Sequence, residues 1–121
     1  MRRFFARSVT IIALFLAGCA TGAGADLKKG WELMLAKDYP AARDVYENML
    51  AEYPDNPYAH LNLGVAYQNL GNTDLARRHY EAAIEFGGAA EVTRVVQKGE
   101  VISHVTTVAD KGRENLQTLP N

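Results

Sequence analysis

Between residues 26 and 86 the apolar positions keep the period of an α-helix. Leu27, Trp31, Met34 and Leu35 are followed by Ala42, Val45, Tyr46, Met49 and Leu50, each one, three or four residues from the last within its set. That spacing turns one face of each segment toward a core. Pro40 and Pro57 suit the first turn of a helix, where a missing N–H would be unpaired anyway. Asn56 is placed to cap the helix that Pro57 opens, and Gly71 suits a left-handed helix end. Together these signals predict four helices, at about 26–37, 40–53, 57–70 and 74–86.

Beyond Gly87-Gly88 the pattern changes. Residues 92–108 hold 10 β-branched residues in 17, with Lys98-Gly99 in the middle. Val92 to Ile102 therefore reads as an extended segment or a small hairpin, although the helical context pulls the other way. Ser103 reads as the N-cap of a fifth helix at about 104–118, carried by Val105, Val108, Ala109, Gly112, Leu116 and Leu119. Such a helix would cover the last apolar face of the chain. The alternatives are that it swaps between two chains or serves as a dock for a partner.

A shift of 34 residues brings Gly30 onto Gly64, Ala42 onto Ala76, Tyr46 onto Tyr80 and Leu50 onto Ile84, with Ala59 onto Thr93 the unlike pair. This period, with glycine early, alanine in the middle and an aromatic four residues later, resembles the tetratricopeptide repeat, a helix–turn–helix unit. In the second copy, Pro57 to Ala90, Leu63, Gly64, Tyr67, Gly71, Ala76, Tyr80 and Ala83 stand at signature positions, with His60 where Trp is usual and Gly88 where Pro is usual. The first copy keeps Gly30, Ala42, Tyr46, Pro54 and Asn56 but has Lys29 and Leu33 at two signature places. The resemblance implies an all-α solenoid of two repeats over 26–90, closed by a C-terminal extension over 91–121. A side chain at Gly30 or Gly64, or anything larger than alanine at Ala42 or Ala76, would hold the paired helices apart.

The N-terminal residues carry a different message. Arg2, Arg3 and Arg7 precede the short apolar stretch Val9 to Ala17, the layout of a secretory signal peptide. Leu16-Ala17-Gly18-Cys19 resembles the lipobox of bacterial lipoprotein precursors. The resemblance implies cleavage after residue 18 and a diacylglyceryl group, with acyl chains of the palmitate kind, on Cys19. Ser8 to Ala25 is uncharged, so an uncleaved membrane anchor is the rival reading, but the strongly apolar part is shorter than the ~20 residues of a span. Residues 19–25, small and Gly-rich, read as a flexible tether. Ala20 stands where Asp would favour inner-membrane retention, which points to the periplasmic face of the outer membrane.

Charge and chemistry narrow the function. The 121 residues carry a formal charge of −1, and the 103 residues from Cys19 onward hold 10 Lys and Arg against 14 Asp and Glu, a net of −4. A mildly acidic domain lacks the clustered basic face that nucleic acid needs. Cys19 is the sole cysteine, so no disulfide forms within the chain. Ser103 is the one serine after it, and Ser103-His104 adjacency is no triad, because neighbouring side chains diverge. His60, His79 and His104 are scattered with no i, i+4 pair, which favours packing or surface roles over metal binding. No enzyme activity, cofactor or metal is expected, and no two histidine rings are expected within ligand distance of each other.

Recognition is what remains. In the fold that the sequence resembles, the first helix of each repeat lines a concave groove. Carried onto this chain, the groove positions are Leu27, Trp31, Met34 and Leu35, then Tyr58, Leu61, Val65, Gln68 and Asn69. Leu61 and Val65 replace the Lys and Asn of the family's carboxylate clamp, and an apolar groove suits an amphipathic helix or apolar peptide. The equally weighted alternative makes Trp31, Met34 and Leu35 core beneath the C-terminal segment. The expected function is a membrane-tethered adaptor for a protein partner in the cell envelope. Its likeness to the small accessory lipoproteins of pilus and secretin assembly is a fold-level analogy. A self-associating structural lipoprotein is the alternative.

Overall fold

A computed structural model describes residues 22–94 and 104–121. The lipobox with Cys19, the first residues of the tether, and the Lys98-Gly99 and Ser103 positions lie outside the described residues. Five helices and one antiparallel strand pair make up the described fold: α1 (Gly22–Leu35), α2 (Tyr39–Glu52), α3 (Pro57–Asn69), α4 (Thr73–Phe86), β1 (Glu91–Arg94), β2 (His104–Thr107) and α5 (Val108–Thr118). Among the described residues no helix is long and apolar enough to cross a membrane.

The starts of α2, α3 and α4 each have a local cause. Asp38, Asn56 and Asn72 accept hydrogen bonds from the backbone N–H of Ala41, Ala59 and Leu75, at 3.3, 3.0 and 3.2 Å, and so satisfy otherwise unpaired donors of α2, α3 and α4. Pro40 and Pro57 stand in the first turns, as expected. The α3–α4 turn closes through Gly71 at φ +81°, and the α1–α2 turn closes the same way through Lys37 at φ +58°. In both turns the following N–H reaches back five residues, Asp38 to Leu33 and Asn72 to Tyr67, the pattern of a helix that ends on a left-handed residue.

Neighbouring helices pack antiparallel in sequence, α1 on α2, α2 on α3, α3 on α4 and α4 on α5, while α3 also meets α1 and α5. The helix pairs close on one small-to-large match used twice. A Cβ at Gly30 would stand 2.5 Å from the Tyr46 ring, and one at Gly64 would stand 2.5 Å from the Tyr80 ring. Tyr46, Tyr80, Ala42, Ala76 and Ala83 are fully buried, and Leu63 nearly so. The glycines are therefore packing positions, and the large partner they admit is the tyrosine of the following helix.

Two boundaries differ from the sequence reading. α1 begins at Gly22, so Gly22 to Ala25, read as tether, continue the helix. The fifth helix begins at Val108, because residues 104–107 pair with residues 91–94 in the register Glu91 to Thr107 and Arg94 to His104. Its cap is Thr107, whose side chain accepts from the Asp110 N–H at 3.1 Å and donates to the Asp110 carboxylate at 2.9 Å. That bond from Thr107 holds the Asp110 carboxyl below its usual range, with Arg113 assisting. β-branched residues from both segments favour pairing into strands, and that competes successfully with extending the helix backward.

Candidate functional site

α5 takes the place of the first helix of a third repeat: it meets α4 and α3 as α3 meets α2 and α1. Gly112 permits the approach, since a Cβ there would lie 2.9 Å from Ile84 and 3.1 Å from the Tyr80 carbonyl. The tail is fastened by polar contacts. Gln68 Nε2 donates to Thr118 Oγ1 at 3.0 Å, and Arg77 donates to the Pro120 carbonyl at 3.3 Å. At the other end Tyr58 donates to the Glu91 carbonyl at 3.1 Å. Val92, Val108 and Leu119 from this extension join one buried cluster with Leu61 and Val65.

The nine expected groove residues therefore divide. Leu61 and Val65 are buried, and Tyr58 and Gln68 are engaged by the extension. Asn69 turns its amide back to the Val65 carbonyl at 2.8 Å. Met34 has no exposure at all and belongs to the core. Burial takes Leu61, Val65 and Met34 into the core, whereas Tyr58 and Gln68 keep part of their surface and Asn69 stays exposed. Of the alternative's Trp31, Met34 and Leu35, Met34 is core, and α1 packs against α2 and α3. Leu27 and Trp31 are half-buried against the core, and Leu35 is 62% exposed. Spaced four positions apart, these three form a stripe along α1.

A second cluster was not foreseen. His60 of α3 and His79 of α4 place their Nδ1 atoms 3.1 Å apart, which overturns the expectation that no two histidines would meet. His60 Nε2 donates to the Pro54 carbonyl at 2.7 Å. Phe86 lies over His60, and the Tyr67 ring lies nearly parallel to His79 with its hydroxyl donating to Glu47 of α2. Burial, then Glu47, pushes the Tyr67 hydroxyl up to about 12. Among the described residues no third His, Cys, Asp or Glu joins the pair in a metal-binding group. The only sequence hint is one of register, His60 at a place where the repeat usually has Trp and His79 next to the signature Tyr80.

The 34-residue period, the paired helices and the glycine–tyrosine match define a helical-repeat protein. A family model described as Tetratricopeptide repeat matches residues 33–98, and the chain belongs to that family. No curated protein and no solved structure matches the chain. Repeats of this kind mediate protein–protein interaction, which makes a protein the partner class for this chain.

Proposed function

We propose that the protein is a membrane-tethered adaptor that holds a protein partner on the α1 stripe. The observation that carries this reading is the unequal covering of the groove. The extension packs over Leu61 and Val65 of α3, while Leu27, Trp31 and Leu35 leave an apolar strip on α1. An amphipathic helix laid along α1 would bury that strip as a neighbouring repeat does. The lipobox-like Leu16 to Cys19 supports a lipid anchor, and lipid chains bury about 0.8 kcal/mol per CH₂. Confinement to a surface raises the effective concentration of partner and adaptor, so a strip this small can serve. The periplasmic face of the outer membrane and a role in pilus or secretin assembly are the location and process this reading favours.

Fractionation tests the tether. Cys19→Ala is expected to fold, with an unchanged melting temperature, and to leave the membrane fraction. Persistence in that fraction would assign anchoring to an uncleaved apolar segment. Light scattering tests the rival role, since a mass that grows with concentration and falls back in Leu35→Glu would make the stripe a self-association surface.

A further inference from the structure

Outside the groove, His60 and His79 meet across α3 and α4. Their ring centroids are 5.4 Å apart with planes inclined by 29°, close to the longest separation that a 3.1 Å Nδ1–Nδ1 contact allows. The rings therefore meet edge to edge, nitrogen facing nitrogen. One hydrogen must lie between those atoms, because two lone pairs or two N–H groups would repel. The Pro54 carbonyl can only accept, so His60 carries its proton on Nε2. In the neutral pair its Nδ1 accepts, and His79 Nδ1–H donates.

The proton count sets what happens in acid. A first added proton leaves each ring with an Nε2–H and one hydrogen still shared between the two Nδ1 atoms. A second must put an N–H on both facing atoms, which removes the hydrogen bond and sets two cations against each other. We infer that His60 and His79 form an acid-sensitive clasp between α3 and α4 that stays closed through the first protonation and opens at the second. Glu47 of α2 is the acidic group acting on His79 and favours its charged form. Tyr67 of α3 lies against His79 as a neutral ring, and Phe86 of α4 gives His60 an apolar cover. Burial first, then His60, holds His79 down to about 4 against the Glu47 carboxylate. A group kept neutral in this way stabilises the fold fully above the unfolded histidine value of about 6.5, and the contribution is lost as pH falls toward 4. Opening would reach the boundary between the repeats, since Tyr67, which lies on His79, is hydrogen-bonded to Glu47.

The test is nitrogen-15 NMR of the full chain between pH 7.5 and 3.5, reading the ring nitrogens of His60 and His79 together with the contacts between the two rings. The pair is expected to take up one proton with those contacts intact, then a second well below the usual histidine range, in step with their loss. His60→Gln is expected to move the His79 titration upward; circular dichroism confirms that the variant is folded, and the wild-type titration decides alone if it is not. Two independent titrations near the ordinary value, or ring contacts that survive double protonation, would overturn the clasp.

Discussion

Tyr46 and Tyr80 fill the same place in successive repeats and differ by one hydrogen bond. The Tyr80 hydroxyl donates to Gln68 Oε1 at 2.6 Å. The residue 34 positions before Gln68 is Met34, which offers no such acceptor. The buried Tyr46 hydroxyl makes no hydrogen bond, although Asn62 is close enough to act on it. A buried polar group without a partner loses its hydration for nothing, whereas a bonded one contributes about 1 kcal/mol. Tyr80→Phe should therefore lower stability by about 1 kcal/mol, and Tyr46→Phe should leave it unchanged or raise it. Paired thermal melts check both; a larger loss in Tyr46→Phe would show that Asn62 satisfies the hydroxyl after all. The tyrosines, glycines and alanines were legible in the sequence because tight packing restricts volume at fixed spacings. Their polar partners were not, since a hydrogen bond depends on which side chain faces which across two helices. The meeting of His60 and His79, 19 residues apart on different helices, was hidden for the same reason.

At the scale of elements, the two turns that reverse the chain within each repeat show the same contrast. Gly71 takes its left-handed conformation freely, but Lys37 does so at a steric cost. Lys37→Gly is expected to stabilise the protein by about 0.5–1 kcal/mol, the strain relieved less the extra freedom of glycine when unfolded. An unchanged or lower midpoint in denaturant would contradict it. The start of α5 was misplaced because Ser103 and Thr107 are both cap residues and Val105 and Val108 fit a helical period, while strand pairing across residues 91–94 and 104–107 is a non-local choice. The interior of α5 was nonetheless marked by Gly112. Gly112→Val should overpack the α4 contact and cost about 1–3 kcal/mol, seen as a fall in melting temperature; tolerance without loss would detach α5 from α4.

Over the whole molecule, two repeats supply only four helices, and an array this short needs its last apolar face covered. The extension meets that need by pinning α5 with the strand pair at one end and the Gln68 and Arg77 contacts at the other. Composition and period made the solenoid legible but left the groove undivided, because which half is filled depends on where a segment of weak periodicity folds back. The proposed docking role of the α1 stripe is tested in cells by a photoreactive side chain placed at Leu35, compared with one at the exposed Glu85 of α4. The expected result is one protein partner crosslinked from position 35, lost when Trp31→Glu is added to a protein that still folds, and absent from position 85. Equal crosslinking from both positions, or a product from position 35 that Trp31→Glu leaves intact, would contradict the assignment.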